Sequence, residues 1–201
     1  IIDTIPVVGV VGNMMLWASG VDIGEENKSF IKNALGDDFQ DTWSLAEFLY
    51  ENHKEFFLLP SDVAVEVDGN RVAMNVSELP TKYPIYDIGI STLQEIRPLM
   101  INAGCILWNG PASYFELPGF AFGTIEILNM CTESSAVTIV GGGHTSSLVS
   151  NRGVTDSVTH NSTGGGACLT MLSGGSMPVI ESLNKSNDKF RSLLSSLKLD
   201  N

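Results

Sequence analysis

Two short glycine runs are the segments of this sequence best equipped for chemistry. Gly141-Gly142-Gly143-His144-Thr145-Ser146 follows the apolar run 137–140, and Ser162-Thr163-Gly164-Gly165-Gly166-Ala167 follows the run 158–160. A strand that runs into bare glycines and then a Thr/Ser helix start lets backbone amides approach a ligand closely, with the helix dipole aimed at negative charge. The chemistry is a grip on an anionic group that needs no basic side chain. Either run alone reads equally well as a tight strand-to-helix turn. As a pair at the carboxyl ends of parallel strands they would converge on the crevice where open α/β sheets hold their ligands. Neither fits G-x-G-x-x-G with an acid about twenty residues on, nor G-x-x-x-x-G-K-[ST], so the dinucleotide and Walker readings lose ground. A third segment, Trp108-Asn109-Gly110-Pro111 with Phe115-Glu116 beyond it and Gly123-Thr124 opening the next helix, adds a rigid turn and a carboxylate suited to a sugar diol. Taken singly, those residues are turn formers and a solvated acid.

Composition narrows the partners. A chain of 201 residues with 43% hydrophobic content can bury one good core, and one compact domain is expected. The net charge of -12 argues against nucleic acid or an anionic membrane as a partner, since both demand clustered Lys and Arg. An anionic ligand must then be held locally, by amides and helix ends. Cys105, Cys131 and Cys168 share no CxxC or Cys/His spacing, so neither a disulfide framework nor a metal site is indicated, and a reduced, cytoplasmic setting is expected. No apolar run reaches the roughly 18 residues of a spanning helix. The opening Ile1-Ile2-Asp3 has neither Met nor a basic leader, so no signal peptide is expected and the start reads as the middle of a longer chain.

Continuous apolar runs at 7–11, 56–59 extending into 63–67, 85–88, 105–108, 137–140 and 158–160 read as buried parallel strands. Asp68-Gly69-Asn70 between 63–67 and 72–76 signals a β-hairpin. Asp41-Thr42 before 43–52 and Ser91-Thr92 before 93–102 supply helix amino caps, with Gly104 closing the second helix. Strand–turn–helix repeated this way predicts right-handed crossovers and helices on both faces of a sheet. Residues 1–184 are read as one lobe and 185–201 as an amphipathic tail, with Phe190, Leu193, Leu194 and Leu197 at helical spacing.

The order of motifs resembles phosphoglycerate kinase. That family carries in sequence the motifs that stand here as Val11-Gly12-Asn13, Asp87-Ile88-Gly89, Trp108 to Pro111 with Phe115-Glu116, Phe120-Ala121-Phe122-Gly123-Thr124, Gly141 to Thr145, and Ser162 to Ala167, a likeness running to about Leu183. The resemblance implies the carboxy-terminal, nucleotide-binding lobe of a two-lobed enzyme that moves a phosphoryl group between 1,3-bisphosphoglycerate and ADP in glycolysis. It implies an α/β fold, a three-layer Rossmann-like sandwich with a mostly parallel sheet of about six strands. It implies ATP or ADP with its Mg2+ as cofactors, and the amino-terminal lobe of the same enzyme as partner. By the same resemblance Glu116 would accept the ribose hydroxyls, Asn109 and Pro111 would line the phosphate and ribose region, and Gly141, Gly142 and Gly143 would face adenosine and phosphates. Thr145 would face the nucleotide phosphates, and Gly164, Gly165 and Gly166 the phosphoryl group in flight.

The departures matter too. Bacterial and eukaryotic members have a magnesium-binding Asp where His144 stands, while archaeal-type members can carry His there; a neutral imidazole suits a hard cation poorly, which leaves magnesium to phosphates and water. Otherwise His144 only caps its helix. Many members have a Lys near Leu16-Trp17-Ala18-Ser19, and the family's preceding Gly-Gly-x-Lys strand and turn, with its first strand and helix, are missing before Ile1. The resulting open sheet edge would lower stability, and the chain alone is expected to bind nucleotide weakly without turnover. His53 and His160 read as structural, His160 through a core hydrogen bond, and Met14, Met15 and Trp17 as core or pocket wall. Two other classes stay open: a non-catalytic nucleotide-binding or scaffold module, and an NAD-dependent oxidoreductase domain.

Overall fold

The computed structural model describes residues 2–196, with side chains to residue 191. In chain order the elements are β1 (Ile5–Pro6), α1 (Gly9–Ala18), α2 (Glu25–Leu35), α3 (Phe39–His53), β2 (Phe57–Leu58), β3 (Asp62–Val67), β4 (Asn70–Asn75), β5 (Ile85–Ile88), α4 (Ile90–Ile101), β6 (Cys105–Asn109), α5 (Phe122–Glu133), β7 (Val137–Gly141), α6 (Gly143–Asn151), β8 (His160–Ser162), α7 (Gly165–Leu172) and α8 (Pro178–Ser196). The fold is mixed α/β. β6, β7 and β8 form a parallel ladder with Asn109 opposite Gly141 and Gly141 opposite Ser162, so all three strands end at one level. β1 and β2 form a second parallel pair. Helices α4, α5 and α6 bury Leu93, Ile96, Ile127, Leu128 and Val149 against the β6–β7 strands, while α1, α2 and β3 share a second core around Leu16, Ile23, Ile31 and Val63. Met14 and Met15 are core as expected, and Trp17 is a half-buried wall tilted against Trp43 at 4.2 Å.

Several sequence expectations need correction. The run 7–11 is not a strand: Gly9 opens α1 at φ +60, where a Cβ would stand 2.7 Å from the Pro111 carbonyl oxygen, so a tertiary approach overrides the β-branched propensity of the neighbouring valines. The last strand lies at His160–Ser162, shifted from 158–160, and His160 is exposed with no part in a core. Residues 63–67 and 85–88 are strands, but β3 pairs antiparallel with both β4 and β5. A continuous apolar run reports burial on both faces, not strand direction. The described strands form ladders of two, three and three, and five of the eight lie in parallel ladders with helices on both sides, so the expected α/β fold with mostly parallel strands stands. The hairpin stands as expected, its turn taking positive φ at Asp68 and Gly69.

Helix boundaries differ for local reasons. α3 begins at Phe39, and the Thr42 hydroxyl donates back to the Asp38 carbonyl at 2.7 Å. α4 begins at Ile90 and is capped at its end by Asn102, not Gly104. Its head is held from outside: Asp62 on β3 accepts the Ser91 and Thr92 amides at 2.9 and 2.8 Å. Gly89 allows that approach, since a Cβ there would stand 2.1 Å from the Asp62 carboxyl carbon. The buried Thr92 hydroxyl receives the Ser61 and Asp62 amides at 3.1 Å and donates to Asp62. The helix that carries Phe190 starts at Pro178, upstream of 185, and Phe190 is exposed; residues 197–201, Leu197 among them, and the side chains of Leu193 and Leu194 lie outside the described residues.

Thr92→Val keeps the shape and removes every one of these hydroxyl contacts. The variant should lose about 2–3 kcal/mol of stability, read as a lower urea midpoint with an unchanged slope; a wild-type midpoint would show the hydroxyl to be dispensable.

Candidate functional site

The two glycine turns meet. A Cβ on Gly165 would stand 2.4 Å from the Gly142 nitrogen and 2.9 Å from Asn109 Oδ1, and one on Gly141 would stand 2.8 Å from the same Oδ1. Asn109 is therefore wedged between the ends of β7 and α7, and only backbone without side chains fits around it. Gly142, at φ +99, heads α6, and Gly164 heads α7, neither offering a side-chain cap. The first helical bonds run from Ser146 to Gly142 at 2.8 Å and from Cys168 to Gly164 at 3.0 Å. The amides of residues 143–145 and 165–167 thus have no acceptor within their helices. Two helix heads side by side, with dipoles to match, are suited to an anion.

Thr145 has another occupation than the one its motif implied. It is fully buried, and its hydroxyl donates to the Gly141 carbonyl and sits 3.1 Å from that of Gly142. Its backbone amide has no acceptor within the helix. His144 is exposed at the same helix head, edge-on to Phe115 at 6.3 Å. Among the described residues no three His, Cys, Asp or Glu side chains gather as a metal cluster.

Pro111 and Glu116 face a different hollow, a cavity of about 550 Å³ whose other walls include Gly9, Asn13, Phe30, Tyr86 and Tyr114. The glycine turns are not part of its lining. The link between them is the 109–111 turn, with Gly110 at φ +85 donating to the Gly141 carbonyl at 3.4 Å. Asn109 thus belongs to the glycine cradle and Pro111 to the cavity. Phe30, Tyr86 and Tyr114 escaped the sequence reading, because aromatics on a helix, a strand and a loop share no local spacing. Gly9 was legible only as a glycine inside an apolar run.

Asp87, also on the cavity lining, is the site's buried acid. Burial pushes its carboxyl up to about 6, against the pull of the Gly123 amide, Arg71 and the Ile88 amide. Gly123 allows this contact, since a Cβ there would meet Asp87 Oδ1 at 2.2 Å. Asp62 shows the opposite balance: burial raises it, yet the amides and hydroxyls of Thr92 and Ser91 together hold it below the ordinary carboxylate value.

Parallel strands ending in paired glycine turns beside a cavity define an α/β protein. The family model for phosphoglycerate kinase matches residues 1–175, and the chain belongs to that family. It is 40% identical over 175 residues to a phosphoglycerate kinase of Methanopyrus kandleri, covering 87% of this chain and 42% of the relative. A phosphoglycerate kinase of Methanobacterium bryantii is 39% identical over 189 residues, 94% of this chain and 45% of the relative. Among solved structures, the phosphoglycerate kinase of Pyrococcus horikoshii OT3 superposes with a TM-score of 0.84 at 33% identity, over 94% of this chain and 46% of that one. The chain spans less than half the length of these relatives. Among the described residues no helix is long and apolar enough to cross a membrane.

Because the folded Asp87 binds its proton more tightly than the ordinary value of 3.8, its contribution to stability is complete below that value and is lost as pH rises to about 6. The loss amounts to about 3 kcal/mol. Asp87→Asn should flatten this fall, measured as urea midpoints of both proteins across about pH 4–7; parallel profiles would refute the shift.

Proposed function

We propose that this chain is the ATP- and ADP-binding, Rossmann-like lobe of a cytoplasmic phosphoglycerate kinase, with 1–184 as the lobe and 185–201 as its tail. The reaction is phosphoryl transfer between 1,3-bisphosphoglycerate and ADP, completed by an amino-terminal lobe. The observation that carries this reading is the interlock of Gly141, Gly142 and Gly165 around Asn109, with an apolar cavity one turn away. The cavity takes the base and ribose, and Glu116 accepts the ribose hydroxyls. Asn109 and the glycine amides hold the phosphates.

Phosphoryl transfer asks a protein mainly for positioning and for charge stabilisation at the equatorial oxygens. The amides of Gly164, Gly165 and Gly166 supply that at the head of α7, while those of Gly143, His144 and Thr145 hold the nucleotide's own phosphates. Magnesium, when it enters with the nucleotide, neutralises phosphate charge. The exposed His144 is a poor ligand for it, and the fit is better to an ion held by phosphate oxygens and water. In a body of charge -12, this neutralisation and the directed amides replace a basic patch.

Calorimetric titration of magnesium-ADP into the chain should give weak binding that falls about tenfold in Glu116→Ala. Equal affinity in both proteins would remove Glu116 from the ribose site, and no heat in either would remove the nucleotide.

A further inference from the structure

One ion pair has no part in that reading. Arg71 stands on β4 opposite Glu66, outside the cavity lining, and meets Asp87, whose side chain is wholly shielded from solvent. Its Nη2 reaches two points on β5, the Ile88 carbonyl at 2.9 Å and Asp87 Oδ2 at 3.4 Å, and the guanidinium lies 5.5 Å from the centre of the Phe122 ring. Asp87 Oδ2 in turn accepts the Gly123 amide at 3.1 Å, and Oδ1 accepts the Ile88 amide at 2.8 Å. The neighbour of Gly123 is Thr124, whose buried hydroxyl receives the Ala112 amide at 3.1 Å and lies 2.6 Å from the Ser113 hydroxyl. The next amide, Tyr114, donates to the Tyr86 carbonyl on β5 at 2.7 Å. These contacts run without a gap from the hairpin, through β5 and the head of α5, to the wall that presents Pro111, Tyr114 and Glu116.

We propose that Arg71 is a positioning residue for the cavity, acting through Asp87 and the head of α5 on the 111–116 wall; in naming the ligand the proposal rests on the nucleotide reading above. The physical reason is that Asp87 is buried and Arg71 is its cationic partner. Remove the guanidinium, and the carboxyl either takes a proton or turns toward water. In both cases its charge-assisted hold on the Gly123 amide is lost, and α5 is free to shift against the wall. Both contacts leave the single nitrogen Nη2 at the tip of a planar guanidinium, a reach and geometry that a lysine ammonium matches only in part. The glycine at 123 fits the same device, since any side chain there would push Asp87 out of the relay.

The test uses Arg71→Met, an uncharged chain of similar bulk, and Arg71→Lys, which keeps the cation and changes its reach and geometry. Two readings are taken on each: magnesium-ADP affinity by calorimetry, and the amide resonances of Ala112, Tyr114 and Gly123 in the ligand-free protein. Arg71→Met should bind about tenfold more weakly and shift all three resonances. Arg71→Lys should fall between it and the wild type in both readings, a graded rescue that simple loss of stability would not produce. Wild-type affinity and unmoved resonances in both variants would overturn the proposal. If the wild-type chain takes up no magnesium-ADP, the nucleotide reading fails by itself; the resonances then decide the relay, shifted in support or unmoved against it.

Discussion

The contact on which the site depends is backbone against backbone. Gly165 approaches Gly142 so closely that a methyl group on Gly165 would collide with the Gly142 backbone, and the amide oxygen of Asn109 fills what room is left. Because β6, β7 and β8 end level, with Asn109, Gly141 and Ser162 in one row, the heads of α6 and α7 are brought together around the Asn109 side chain. This arrangement lets an acidic protein offer a positive potential over a few ångströms. Partial charges from oriented peptides act only at short range, so an approaching anion would meet the overall negative charge at a distance and the directed amides only at contact.

Much of this was legible from residue order. β6 and β7 fall where the apolar runs placed them, because a short apolar run closed by glycine states both the strand and its end. The convergence of the glycine turns followed from topology: strands in one parallel ladder deliver their carboxyl ends to the same side. Three things were hidden. The first is Gly9, whose turn into α1 is dictated by Pro111, distant in sequence. The second is the direction of β3 and β5, since burial on both faces looks alike in either orientation. The third is Thr145, whose motif suggested a ligand contact while its hydroxyl is taken by the carbonyls beneath it. Side-chain roles that depend on what lies behind a residue leave no spacing to read.

A recurrent device joins the helices to the strands. Thr92, Thr124 and Thr145 are each the third residue of their helices α4, α5 and α6, and each is almost wholly buried. The hydroxyl of each bonds backbone outside its own helix: at the start of β3, in the loop after β6 and at the end of β7. Two of these helices also receive a carboxylate from a neighbouring strand, Asp62 at α4 and Asp87 at α5, each set against a glycine. The two acids shift in opposite directions although each takes two amides and one further donor, the Thr92 hydroxyl at Asp62 and Arg71 at Asp87, because Asp87 lies deeper and burial prevails there.

Among the described residues α6 and α7 receive no such carboxylate, and each has glycine at its N-cap and first helical position. An incoming anion would therefore complete the secondary structure, standing where Asp62 and Asp87 stand in α4 and α5. Occupancy and the order of the heads of α6 and α7 would then be thermodynamically linked, so that a ligand would stiffen the helices it caps.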